Sequence, residues 1–315
     1  MQTRTEKIRQ AAKRVLAEGK ADLVIGFREG TVPLKTAPHF ARTEAECDLL
    51  VWNSHCRLNL ANFLPRRKDR VAVVAKGCDA RNIVNHIVEK QIEQEQVYII
   101  GVPCEGMVEP ALIAEKEGRT VESASETDGR IILKGKDFTT EVDRAEVLRQ
   151  NCLTCAHRNP SVHDELVVDP VPELEGVDRY ADLKDLLARS DGERYEYYTS
   201  LVQTCIRCYA CRDACPLCYC HVCFVDETMP QWVGKSVDPA DVMTYHILRA
   251  FHCAGRCTDC GACEAACPMD IKVRQFTRLL EKDVKELYNY ETGLSPTDQP
   301  PLTVYRPNDP QEFIK

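Results

Sequence analysis

No long hydrophobic run interrupts this chain of 315 residues. The longest apolar stretch, VYIIGV from Val97, is far too short for a bilayer-spanning helix, which excludes direct membrane insertion. No basic block or aromatic–basic patch stands out. The 41 basic and 49 acidic side chains leave a net charge of −8, and the densest basic run, Arg66 to Arg70, reads as a solvated loop. Nucleic acid is therefore not an expected partner. The opening residues up to Gly19 are charged and amphipathic, without the apolar centre of a secretory signal, and Glu6 and Glu18 speak against a transit peptide. There is no G-x-G-x-x-G or phosphate-cradling loop, and no acid–base pair or nucleophile triad can be read from spacing.

What the chain does have is cysteine, 18 in all. In a short secreted protein that number would mean a disulfide scaffold. Here the chain is long and the spacings are those of metal clusters, which points to a reducing compartment and hence the cytoplasm. Two runs of C-x2-C-x2-C-x3-C-P dominate. One is Cys205, Cys208, Cys211, Cys215 with Pro216; the other is Cys257, Cys260, Cys263, Cys267 with Pro268. This is the bacterial ferredoxin spacing for a 4Fe–4S cubane, in which the fourth cysteine ligates the other cluster. The expected ligand sets are Cys205, Cys208, Cys211, Cys267 and Cys257, Cys260, Cys263, Cys215. Zinc ribbons use two C-x2-C pairs rather than a three-cysteine ladder followed by Cys-Pro.

The rest of the chain reads as about two domains. Residues 5–18 have the spacing of a helix ended by Gly19. Candidate strands are 22–27, 49–52, 71–75 and 97–101, with a helix over 79–90 between the last two. Strand, helix, strand at that length predicts a βαβ unit with parallel strands. Residues 119–142 predict a hairpin turning at Asp128-Gly129, and Asp143 with Glu146 resembles a capping box for a helix of about two turns. A polar stretch at 157–176 reads as a linker. Helices are expected over 177–190, 191–204, 238–252 with Pro239 at the first position, and 273–290. The Pro-rich tail from Gly293 reads as an extended arm. The expected fold is an α/β domain with a parallel or mixed sheet over 1–165, a helical dicluster ferredoxin domain over 166–292, and the arm 293–315.

Cys78 follows the third candidate strand and Cys104 the fourth, so both thiols should leave the same edge of the sheet, where ligands gather. With the pair Cys152 and Cys155 they supply four thiolates, enough for a third cluster. Equally, Cys78 and Cys104 fit ordinary buried cysteines. Cys218, Cys220 and Cys223 follow the first ladder and Cys253 precedes the second. They offer a possible fourth site, or a replacement ligand with the remainder packed in the core. Cys56, His55 and His221 read as spare.

The segments VAVVAKGCDARNIVNHI, VYIIGVPCEG and CLTCAHRNPSVHDELV, taken in that order, resemble the beta-subunit family of coenzyme F420 hydrogenases and dehydrogenases, which includes formate dehydrogenase beta subunits. The likeness covers roughly residues 20–170. It implies a 4Fe–4S cluster at Cys78, Cys104, Cys152 and Cys155, and a flavin, FAD. The glycine-rich opening expected to help hold the flavin is not found; GFREGTVPLK at Gly26 stands there instead.

The function expected is an iron–sulfur electron-transfer subunit of a multi-subunit anaerobic oxidoreductase, itself non-catalytic. Its partners would be redox subunits of formate dehydrogenase, hydrogenase or heterodisulfide-reductase type. The alternative is a flavin-dependent subunit that itself oxidises or reduces a soluble hydride carrier such as coenzyme F420 or NADH. A redox sensor with structural clusters is a third reading.

Overall fold

The computed structural model describes residues 3–127 and 129–310. The chain forms two compact units: residues up to Ala80 with Gln91–Val177, and Arg81–Lys90 with the chain from Asp178 onward.

The first unit is built on a five-stranded mixed sheet in the order β2-β1-β3-β4-β8. Its strands are β1 (Leu23–Glu29), β2 (Thr36–Ala41), β3 (Val71–Ala75), β4 (Val97–Gly101) and β8 (Glu165–Leu166). β1, β3, β4 and β8 run parallel, and β2 is antiparallel to β1. β3 reads VAVVA and is buried throughout, as a strand covered on both faces must be. Helix α1 (Arg4–Ala17) lays Ile8, Ala11, Ala12 and Val15 on Val24, Ala72, Val74 and Ile100. A complete Thr3–Glu6 capping box starts it. The start of α3 (Gly77–Val88) follows β3 at once.

A separate antiparallel sheet joins β5 (Ser123–Thr127), β6 (Arg130–Gly135) and β7 (Phe138–Asp143). Its inward Ile131, Leu133 and Val142 pack on Val108, Ile113, Val147 and Leu148. Asp128 of the expected hairpin turn lies outside the described residues.

Several expectations need correction. Leu49–Trp52 is not a strand: Val51 makes one isolated bridge to Phe27. β1 is flanked by β3 on one side and on the other by β2, an edge strand that tolerates Pro38 because its outer N–H groups need no partner. Asp143 does cap, accepting from Ala145 N–H at 2.8 Å, but the capped element is the 3-10 turn Arg144–Val147 rather than a helix of two turns. The polar stretch after Cys155 contributes β8 to the sheet.

The second unit is helical. Its long helices are α7 (Asp191–Val202), α9 (Pro239–His252) and α11 (Gln275–Tyr288), enclosing Val202, Val225, Val242, Tyr245, Ile271 and Phe276. Ser190 and Glu193 form the capping box of α7, and the Asp238 carboxylate caps α9 ahead of Pro239. Single turns α8 (Ala210–Asp213) and α10 (Ala262–Ala265) close the two ladders. The helix expected over 177–190 shrinks to the turns Ala181–Leu183 and Lys184–Leu187. From Gly293 to residue 310 there is no strand or α-helix, only the turn Pro301–Thr303; residues 311–315 of the expected arm lie outside the described residues.

One buried ion pair fixes the end of β3. Lys76 Nζ lies 2.8 Å from Asp79 Oδ2, with both side chains almost fully buried. The same carboxylate accepts Leu60 N–H and Lys76 N–H, each at 2.9 Å, while Lys76 Nζ donates to Leu58 O at 3.0 Å. Removing one member of such a pair strands the other charge. Asp79→Ala should therefore destabilise the first unit by about 3–5 kcal/mol, read as a large fall in thermal midpoint; a midpoint like that of the parent would refute this account.

Candidate metal centres

The two ladders share one backbone. After Cys205, residues Arg207 (φ 53°) and Tyr209 (φ 60°) are left-handed; after Cys257, Asp259 (φ 55°) and Gly261 (φ 69°) occupy the same two places. This turn folds main-chain N–H groups back onto sulfur. Arg207 N–H donates to Cys205 Sγ at 3.4 Å, and Asp259 N–H to Cys257 Sγ at 3.4 Å. Alternating right- and left-handed residues form an anion-binding nest of the kind that cradles iron–sulfur groups.

Electrostatic neighbours show which thiols lie together. Those of Cys205 are Cys211, Cys267 and Cys208. Cys263 senses Cys215 and Cys260, and Cys257 senses Cys260. Thus Cys267 lies with the first run and Cys215 with the second. Among the described residues, no group of three or more His, Cys, Asp or Glu side chains could hold a single metal ion. A lone ion draws its ligands to one point, whereas a cubane keeps its thiolates apart at separate corners. The donor set here, thiols spread around a nest of N–H groups, fits the larger anionic group.

Helix α9, between the ladders, adds side chains that the sequence reading passed over. Tyr245, His246 and Arg249 are all buried on its inner face. Tyr245 OH lies 3.4 Å from Cys211 Sγ, and His246 Nε2 lies 3.4 Å from Cys205 Sγ. Arg249 Nη2 donates to Cys211 O at 3.0 Å, while its Nε–H is buried without a partner. The guanidinium's nearest charged neighbours are Cys215, Cys253, Cys263 and Cys211. Burial, with the Arg249 and Arg207 charges, holds His246 down at about 4, so its ring is neutral. The signal was present in the sequence: three polar groups at i, i+1 and i+4 on an otherwise apolar helix face.

In the first unit, parallel pairing brings the carboxyl ends of β3 and β4 to one edge. Cys78 is the second residue of α3, where helix N–H groups and dipole favour a thiolate. Cys104 follows β4, and its charged neighbours are Cys152, Lys76 and Cys155. Lys76 in turn senses Cys78 and Cys104. Gly106 N–H donates to Cys104 Sγ at 3.4 Å and Met107 N–H to Cys152 Sγ at 3.3 Å. Gly106 has φ 104°, and a Cβ there would lie 3.1 Å from Cys152 Cβ. Burial pushes the Cys104 thiol up to about 12, a cost that a bound metal's charge reverses, since coordinating thiols are deprotonated outright. These four thiols, with two N–H donors and a buried lysine, also fit a cluster. An open cavity of about 400 Å³ adjoins them, lined in part by Arg4, Trp52, Cys104, Glu105, Glu126 and Arg144.

Cys218 and Cys253 lie beside Cys215, and Cys218 also senses Cys223. Cys220 is exposed. Cys56 is a packed core residue, and so is Cys47, to which the sequence reading gave no role; burial pushes both thiols up to about 11. His55 is held down at about 4 by burial, and His221 is exposed.

Residues 204–272 match the family described as a 4Fe-4S dicluster domain. The chain is 25% identical over 352 aligned residues to the F420-dependent formate dehydrogenase subunit beta of Methanocaldococcus jannaschii, covering 92% of both chains. It is equally 25% identical to F420-dependent formate dehydrogenase 1 subunit beta of Methanococcus maripaludis, covering 92% of this chain and 91% of that one. Over nearly its whole length the chain is thus similar to F420-dependent formate dehydrogenase beta subunits. Among solved structures, the F420-reducing [NiFe] hydrogenase complex of Methanosarcina barkeri, studied with xenon, contains a chain 15% identical to this one. The match covers 49% of this chain and 59% of that one at a TM-score of 0.38, too slight to carry an argument.

Gly106→Ala tests the third thiol set. The added methyl must push Cys152 away or twist a left-handed residue. The variant should lose about four iron per chain and keep the ferredoxin-type spectrum. Unchanged iron content would dissociate Gly106 from any cluster.

Proposed function

We propose that this chain is an iron–sulfur electron-transfer subunit of a multi-subunit oxidoreductase, passing electrons between the redox centres of its partners. The observation that carries this reading is the doubled nest: two ladders with one backbone, each surrounded by four thiols. Cys205, Cys208, Cys211 and Cys267 would hold one cluster and Cys257, Cys260, Cys263 and Cys215 the other. A 4Fe–4S cluster supplies one-electron transfer when bound. The chain's own part is to orient the thiolates, exclude water, and place N–H groups and cations against the negative charge. Cys78, Cys104, Cys152 and Cys155 would hold a third cluster. The grouping of Cys218 and Cys253 beside Cys215, with Cys223 near Cys218, supports a fourth at Cys218, Cys220, Cys223 and Cys253.

The partners we infer are redox subunits of formate dehydrogenase, hydrogenase or heterodisulfide-reductase type, in an anaerobic cytoplasm. Among the described residues no helix is long and apolar enough to cross a membrane. The segment from Gly293 is proposed to lie along a partner. A second reading is favoured by the cavity beside Cys104: FAD bound there would make this chain a flavin-dependent subunit acting on a soluble hydride carrier such as coenzyme F420 or NADH.

Anaerobic analysis should find about twelve iron and twelve sulfide per chain, or about sixteen if the fourth site is filled. Eight or fewer would remove the N-terminal cluster, and stoichiometric zinc would overturn the whole reading. With a viologen acceptor, the isolated chain should not turn over formate, hydrogen, NADH or reduced deazaflavin until a partner is added. Turnover by the chain alone, with flavin bound in stoichiometric amount, would promote the second reading.

A further inference from the structure

The two ladders are alike in backbone but not in surroundings, and the difference lies in α9. We propose that the inner face of α9 sets the reduction potential of the cluster held by Cys205, Cys208, Cys211 and Cys267. Hydrogen bonds from Tyr245 and His246 to its ligand sulfurs raise that potential above the value the same cluster has without them. The inference rests on the reading of both ladders as cluster ligands.

Ligation settles the direction of both contacts. A metal-bound thiolate carries no proton, so it only accepts. Tyr245 OH, 3.4 Å from Cys211 Sγ, must then be the donor. His246 Nε2, 3.4 Å from Cys205 Sγ, must likewise carry its proton there. These add to the Arg207 N–H already on Cys205. The contacts are held from behind: His246 stacks on Phe276 at a centroid distance of 5.4 Å and Tyr209 meets Tyr245 edge-on at 5.3 Å.

The second ladder has a different neighbour in the place nearest its first cysteine. Cys257 takes the Asp259 N–H, as Cys205 takes that of Arg207. The adjacent Thr277 hydroxyl lies 3.9 Å from Cys257 Sγ, but it donates to Arg274 O at 3.0 Å. The carboxylates of Glu281 and Asp259 also bear on Cys257. Arg249 bears on both ligand sets, on Cys215 first and then Cys263 and Cys211, and Cys215 also takes side-chain hydrogen bonds from Cys218 and Cys253, so these contacts decide only what Tyr245 and His246 do to their own cluster.

The sign follows from charge. The reduced form of a cluster has one electron more than the oxidised form, and part of that charge falls on sulfur. A donor on sulfur therefore stabilises the reduced form more and raises the potential; hydrogen bonds to the sulfurs are among the recognised determinants of cluster potential.

The test is anaerobic potentiometric titration of the full chain with dithionite and mediator dyes, followed by low-temperature EPR. The ferredoxin pair is recognised by its mutual spin coupling. Tyr245→Phe removes one oxygen, and His246→Phe keeps the ring that stacks on Phe276. Each should lower the reduced-to-oxidised ratio of one cluster of the pair, the same one in both variants, about tenfold at its parent midpoint, a shift of about 59 mV downward. The other cluster should stay in place, and His246→Gln, which retains an N–H donor, should recover part of the shift. The proposal is overturned if both potentials hold with iron content unchanged, or if the two variants move different clusters. Loss of iron from both single variants also overturns it, since the contacts would then be structural. A parent chain that binds no iron counts against the electron-transfer reading itself, a result distinct from these.

Discussion

The structure depends on a pair of left-handed residues in each ladder. Without them the chain could not turn its N–H groups toward sulfur within seven residues. At Arg207, Tyr209 and Asp259 the conformation is taken by residues other than glycine, at a cost of about 1–2 kcal/mol each. Two of those side chains are anchored in ways that offset the strain. Arg207 donates to Gly234 O, to Ser236 O at 2.9 Å and to Tyr209 OH at 2.9 Å. Asp259 accepts from Arg274 Nη2 at 2.8 Å and from Arg278 Nη1 at 3.0 Å. A cation and an anion thus do the same work at equivalent positions, each tying its ladder to the surrounding helices.

The positive charge in this second unit is concentrated where the clusters would be. Arg249, Arg274 and Arg278 are all buried, in a chain whose net charge is −8. Arg274 and Arg278 share Asp259, and Arg278 also reaches Asp182 at 2.6 Å. Buried guanidinium groups are tolerable only with such company. The distribution is hidden in the overall composition, which reads simply as mildly acidic.

The ladders were legible because a cubane dictates ligand spacing over a few residues, and their geometry does not wait on the rest of the fold. β3 and β4 were legible because buried parallel strands must be apolar along their whole length. β2 was not: TAPHFA carries a proline and alternates poorly, since an edge strand needs neither trait of a central one. Leu49–Trp52 misled for the opposite reason; its apolar residues serve the core from a loop, with Leu50 buried under the sheet. Tyr245 and His246 fit the apolar face of α9 well enough to pass as core. Only the cysteines that they meet, distant by 34 and 41 residues in sequence, give them another meaning.

Arg249 carries this into the life of the protein before it is finished. A guanidinium buried among thiols, with its Nε–H unpaired, sits in an environment that suits it only once those thiols have become thiolates around metal. The same helix face that lines the site also packs Val242, Tyr245 and Ala250 into the core. If those thiols hold a cluster as proposed, its assembly and the packing of α9 are one equilibrium, in which ligand binding is folding energy. A cell short of iron or sulfide would experience that shortage as a shortage of folded protein.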